Sequence, residues 1–318
     1  MMTIVLMFVA LLAGFMLANQ NPINADLKKI VGSPFGAAAI SFGVGTVFLG
    51  ILALVVNHAL LPSLSFVGSQ PGWIWLGGVL GGIYLTSNVL LFARLGAIQT
   101  VILPILGQIL MGIIIDTFGW FGGNVLPLTF FRVLGVLVLI AGVIVAVVLP
   151  GFLNRDVRQL DADTQASVLQ PTLLGWRLWA VIAGALSAMQ QAINGHLGAL
   201  LQAPVQGSFI SFLIGFILIL LVSLMVDKRL PSWTDLQHAQ IWNWFGGILG
   251  GLFVLATIIV LPTIGAGMTI TMGLLGQIIG SMLVQQFGWW RSMKAPVSLV
   301  QILGVVVMIV GVGLIKFL

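Results

Sequence analysis

Ten apolar runs, separated by short polar stretches, dominate the chain. They fall at approximately 2–25, 34–58, 72–94, 97–118, 127–149, 172–197, 204–226, 241–262, 266–287 and 296–317. About 20 apolar residues in a helix cover the roughly 30 Å hydrocarbon core of a bilayer, so each run predicts a membrane-spanning helix. Four runs open on or near a proline (Pro34, Pro127, Pro204, Pro296). The first helical turn tolerates proline because its missing N–H would be unpaired there anyway. Tryptophans gather near the predicted ends (Trp73, Trp75, Trp120, Trp176, Trp179, Trp242, Trp289 and Trp290), as expected of an interfacial belt. The first run lacks a basic leading segment, and Asn19-Gln20-Asn21-Pro22 offers no small-residue cleavage site. It is therefore expected to be a span rather than a signal peptide. The longest hydrophilic stretch, Asn154 to Pro171, is expected to be a linker.

Composition agrees with this pattern. Of 318 residues, 60% are hydrophobic and 6% charged, with a mean hydropathy of +1.20. Soluble domains run at roughly 45–50% apolar and about 25% charged. The sequence thus excludes a soluble enzyme, a nucleic-acid-binding domain and a disordered protein. Glutamate and cysteine are absent, so no disulfide, thiolate metal site or redox centre is available. No cofactor or metal is expected.

The second half repeats the first at an offset of 170, falling to 169. Gln20-Asn21-Pro22-Ile23-Asn24 matches Gln190-Gln191-Ala192-Ile193-Asn194. Gly77 to Gly82 matches Gly246 to Gly251, and Leu106-Gly107-Gln108-Ile109 matches Leu275-Gly276-Gln277-Ile278. Phe118-Gly119-Trp120 matches Phe287-Gly288-Trp289. This predicts a five-helix repeat at 1–150, a linker at 151–171 and a second repeat at 172–318. Five is odd, so the second copy enters the membrane from the opposite side. The basic residues agree. Lys28, Lys29, Arg94, Arg155, Arg158, Arg177, Lys228, Arg229, Arg291 and Lys294 flank alternate loops, and the bias reverses between equivalent loops. By the positive-inside rule those loops, the linker included, are cytoplasmic and both termini extracytoplasmic. The fold expected is all-α, with ten transmembrane helices in two inverted five-helix repeats. Transporters built this way bind near the midplane between the halves.

Polar residues inside the runs carry a desolvation cost and so mark candidate sites. Gln20 and Asn24 share one helix face, and Gln190 and Asn194 repeat them. Gln108 and Gln277 lie near the centres of their runs, each after a glycine. Asn88 and Tyr84 occupy the third run. Amides of this kind serve either as substrate contacts or as interhelical hydrogen bonds, and the sequence leaves both open. Ser41 and Ser211 are expected to pack against their own helix carbonyls. The spacing-four glycines Gly77/Gly81 and Gly246/Gly250 are expected to form helix packing surfaces. Asp116 and Arg132 make an ionisable pair toward the outer end, a structural latch or an external gate. Their equivalents Gln285 and Gln301 are expected to meet as an amide pair. Arg132→Ala is then expected to damage more than the double replacement, since it strands a buried carboxylate.

The segments MQQAINGHLGALLQAPVQGSFISFLIG (Met189–Gly215) and IIIDTFGWFG (Ile113–Gly122) resemble the YdcZ-like family of bacterial inner-membrane proteins. The overall pattern resembles the drug/metabolite transporter superfamily. YdcZ-like proteins are usually single five-helix units, and this chain resembles two of them fused. The resemblance implies the fold, a multi-pass bacterial inner-membrane location and a transport activity, and supplies no substrate. The small multidrug resistance branch of the superfamily carries a first-helix glutamate for cation and proton exchange. This chain has amides there instead, which disfavours a proton-coupled drug antiporter of that type.

The expected function is secondary transport, as an exporter or facilitator, of a small polar metabolite by alternating access. The competing expectation is a membrane scaffold or assembly protein whose amides are only interhelical glue. No nucleophile–base set lies within the spans, so an enzyme is not expected. The expected partners are a small-molecule substrate and the lipid bilayer, without nucleic acid, in a monomer or homodimer.

Overall fold

The computed structural model describes residues 2–150, 173–228, 236–292 and 294–317. The expected linker at 151–171 lies outside the described residues. Among those described there is no β-strand, and the order is α1 (Met2–Val31), α2 (Pro34–Asn57), the short α3 (Leu64–Ser69), α4 (Gly77–Phe118), α5 (Phe130–Val143), α6 (Leu174–Leu201), α7 (Pro204–Asp227), α8 (Phe245–Ile264), α9 (Ala266–Phe287) and α10 (Leu299–Phe317). A π-helical turn, Ile144–Val148, extends α5. Among the described residues, seven helices are long and apolar enough to cross a membrane. Their outward faces carry exposed side chains such as Phe8, Val55, Ile217, Leu221 and Val306. Apolar surface on this scale suits lipid tails rather than water.

Local chemistry sets the helix ends. Ser33 caps α2, its Oγ accepting from the N–H groups of Phe35 and Gly36, and Pro34 takes the first helical position. Pro204 opens α7 in the same way. The other two prolines correct the sequence expectation. Pro127 and Pro296 lie ahead of α5 and α10, because Thr129 and Ser298 accept from the N–H groups of Arg132 and Gln301 and set the starts later. The first helix also runs on past residue 25, to Val31, with Pro22 inside it.

The run at 72–94 opens on a 3-10 turn, Gly72–Trp75, and its remainder lies with the run at 97–118 in α4, yet the two arms fold back on each other. Trp73 and Phe121 lie with ring centroids 5.6 Å apart, and Gln108 Nε2 donates to Tyr84 Oη at 3.0 Å. A straight helix would hold residues 84 and 108 roughly 36 Å apart. The arms therefore pair, the second containing Ile102–Phe118. In the second half the equivalent α8 and α9 are separated at Gly265, whose φ of +85° is outside the range that L side chains favour.

Contacts across the molecule come in exchanged pairs. Gly107 packs on the Val181 carbonyl, while its counterpart Gly276 packs on that of Leu11. Gly78 packs on the Ser211 carbonyl, and Gly247 on that of Ser41. The equivalent helices α2 and α7 run antiparallel, since Gly43 meets Phe216 and Gly50 meets Phe209. So do α5 and α10, where Gly135 meets Gly311 and Gly142 meets Gly304.

Candidate functional site: a central uncharged cavity

Residues four apart on a helix lie one above the other on the same face. On α1 these are Gln20 and Asn24, and on α8 Gly246 and Gly250. The structure fits one row to the other. Gln20 lies against Gly250 and Asn24 against Gly246, and across the molecule Gln190 lies against Gly81 and Asn194 against Gly77. A Cβ on Gly81 would stand 2.5 Å from Gln190 Nε2. These glycines are thus more than general packing surfaces: they make room for four named amides.

Between the two interlocked rows lies a cavity of about 160 Å³. One water needs only about 10–15 Å³ by the same kind of measure, so the space admits a small solute. Gln20, Asn21 and Asn24 of α1, Tyr84, Asn88 and Gln108 of α4, Gln190 and Gln191 of α6 and Gln277 of α9 line it. Ser41, Ser187 and Ser211 add hydroxyls, and the rings of Phe42, Phe212 and Phe253 add apolar wall. Phe42 and Phe212 pack at 5.0 Å between centroids. Every lining residue is uncharged.

Seven of the eight amide and tyrosine candidates named from sequence border this cavity; the exception is Asn194. It is 2% exposed and closed off by Gly77, and its Oδ1 has no hydrogen-bond partner among the described residues. Asn24 Oδ1 is likewise unpaired, although Asn24 borders the cavity. Gln108 is committed to Tyr84, and Gln191 Nε2 donates to the Ser187 carbonyl at 3.5 Å. Gln20, Asn21, Gln190 and Gln277 form no side-chain hydrogen bond within the protein among the described residues. Ser41 also departs from expectation: its Oγ has no partner among the described residues, and Ser41 borders the cavity.

Asp116 and Arg132 meet at 3.3 Å, and Arg132 also donates to the Leu126 and Pro127 carbonyls. The main partners of Asp116 are elsewhere. Its oxygens accept from the backbone N–H groups of Ala266 at 2.7 Å and Gly267 at 2.8 Å, so it caps the start of α9. No sequence signal links residues 150 positions apart in this way. The expected amide pair does not form. Gln301 Oε1 accepts from Ser298 N, and Gln286 rather than Gln285 reaches across, accepting from Val297 N. Sequence reasoning also missed a buried carboxylate, Asp26, which takes a hydrogen bond from Asn243 Nδ2 at 3.1 Å and an ion pair from Arg291 at 3.9 Å.

Among the described residues the chain is all-helical and lipid-faced around a central polar cavity, an architecture that suits a multi-pass membrane protein. Residues 5–145 and again 175–314 match the family model described as "Putative inner membrane exporter, YdcZ". The chain belongs to that family, as a tandem of two YdcZ-like units in the inner membrane. No curated protein matches it. A solved structure titled "Crystal structure of protein" is similar in fold, with a TM-score of 0.62 at 17% identity, over 97% of this chain and 98% of that one.

Proposed function

We propose that the chain is a secondary transporter, an exporter or facilitator, for a small uncharged or zwitterionic solute rich in hydrogen-bonding groups. One observation carries this reading: Gln20, Asn21, Gln190 and Gln277 border one uncharged cavity and form no side-chain hydrogen bond among the described residues. Interhelical glue would have paired these amides with each other or with backbone. An amide offers both donors and acceptors, so the set suits sugars, nucleosides or neutral amino acids better than permanent ions. The phenyl rings provide a face for the apolar side of such a solute.

Repeats at 1–150 and 172–318, inverted about an axis in the membrane plane, supply the mechanism. The exchanged contacts and the antiparallel pairing of α2 with α7 and α5 with α10 support a two-fold axis perpendicular to the helices. Rocking of one half on the other would expose the cavity to each side in turn. The basic loops put both termini outside, in a bacterial inner membrane, and a monomer or homodimer suffices.

Counterflow tests this function. Proteoliposomes preloaded with an unlabelled solute should accumulate the same solute in labelled form, transiently and saturably, for at least one uncharged or zwitterionic class. Equal traces from proteoliposomes and empty liposomes across monosaccharides, nucleosides and amino acids would refute it.

A further inference from the structure

We propose that two clusters at opposite ends of the cavity are its gates: a polar gate built on Asp26 and Arg291, and an aromatic gate built on His196 and Trp73. The proposal rests on the inverted-repeat reading above. The clusters occupy matching positions in the two halves. Asp26 corresponds to His196, Trp242 to Trp73, Trp290 to Phe121 and Arg291 to Gly122. An inverted repeat carries equivalent positions to opposite faces of the membrane, so what closes one end has its counterpart at the other.

Each cluster ties the helix that bears cavity amides to turns of the opposite half. At the polar end, Asp26 lies two residues beyond Asn24 on α1. It is bound by Asn243 Nδ2 at 3.1 Å and by Arg291 at 3.9 Å. The Arg291 guanidinium lies 5.3 Å from the Trp242 ring centroid, and Trp290 Nε1 donates to Asn19 Oδ1 at 2.8 Å. At the other end the His196 ring stacks on Trp73 at 5.3 Å, and Trp73 packs on Phe121 at 5.6 Å.

The backbone supplies an independent sign that Arg291 is there for its side chain. The turns Trp120–Gly122 and Trp289–Arg291 share one shape, with Phe121 and Trp290 both at φ +58°. The next position needs a left-handed backbone in both, φ +73° at Gly122 and +57° at Arg291. Glycine takes it freely; a residue with a Cβ resists it. At the aromatic end the His196 ring fills the space a Cβ on Gly122 would need. At the polar end the strained position holds an arginine whose charge reaches a buried carboxylate. Strain retained at one position where the matching repeat avoids it marks a functional contact. The two ends thus close by different chemistry, and each can open without the other.

The chain has no cysteine, so one introduced thiol reports on the cavity without background. Ser187→Cys places it in the cavity wall. A membrane-impermeant maleimide is then applied to each face of oriented vesicles. Arg291→Gly copies the matching residue Gly122 and relieves backbone strain, so it should fold. It should raise labelling about five- to tenfold from the Asp26 face alone, as expected for losing one ion pair and one cation–π contact. Trp73→Ala should raise labelling from the His196 face alone. Asn243→Ile copies Ile74 and removes the same polar latch, carrying the test if Arg291→Gly does not accumulate. Labelling unchanged by both polar-gate variants, or raised from the His196 face, would overturn the proposal. Solute binding by the purified protein separates the two readings. Binding with unchanged labelling refutes the gates alone, whereas altered labelling without any solute binding refutes the solute assignment and leaves the gates standing.

Discussion

Asp116→Ala is expected to cost about 3–5 kcal/mol, most of what holds the start of α9 in place. The carboxylate is 3% exposed and accepts from the N–H groups of Ala266 and Gly267 as well as from Arg132. Removing it strands two buried helix-start donors and leaves a guanidinium 13% exposed without its counter-charge. Arg132→Ala is expected to cost less, about 1–2 kcal/mol, because the carboxylate keeps two charge-assisted bonds and the positive end of a helix. The sequence expectation set Arg132→Ala against the double replacement and held the single change to be worse; the cap reverses that order, because the double replacement also strands the start of α9. Thermal unfolding of the purified variants in detergent, with size-exclusion profiles, checks it. An Arg132→Ala protein less stable than Asp116→Ala would contradict the capping role.

Gly107→Ala and Gly276→Ala are each expected to destabilise by about 1–3 kcal/mol, the cost of overpacking a close-packed interface. A Cβ at either position would overlap a backbone carbonyl of the facing helix, that of Val181 or Leu11. Backbone cannot swing aside as a flexible side chain can, so the helices must separate. Gly313 in α10 gives the opposite sign. Its Cβ would meet nothing within 4 Å, so Gly313→Ala should stabilise by about 0.5–1 kcal/mol through helix propensity. Melting temperatures for the three variants decide this. Equal shifts at Gly107 and Gly313 would mean that close approach is not what the glycine at 107 provides.

How much of this was legible in the sequence depends on the range of the interaction. Helix existence followed from apolar runs, and the facing of Gln20 and Asn24 followed from spacing alone. That the same spacing in Gly246 and Gly250 is the complement of that amide row was not legible, because nothing in the sequence states which rows meet. Asn194 was placed on the right face, but Gly77 closes over it. The Asp116 cap joins two halves 150 residues apart through backbone N–H groups, which carry no residue-type signature. The matched change to Gln285 and Gln301 suggested a direct contact, yet the principal partner of Asp116 is a helix start, so the amides had no pair to inherit. Arg291 was legible only as a loop charge, and Asp26 was missed. Their meeting, and the left-handed backbone that carries Arg291, needed the fold.

On the function proposed here, the cavity amides are held for a solute rather than for the protein. The most direct measurement is the melting temperature of the parent chain and of Gln20→Leu and Gln190→Leu, each alone and with uncharged solutes at millimolar concentration. An amide without a protein partner can be replaced by an apolar side chain of similar size at little cost, whereas a bonded one cannot. The expected result is unchanged or slightly raised melting of both variants without solute, together with loss of the stabilisation that solute gives the parent. Variants that melt well below the parent when unliganded, while any solute-induced shift persists, would contradict the account.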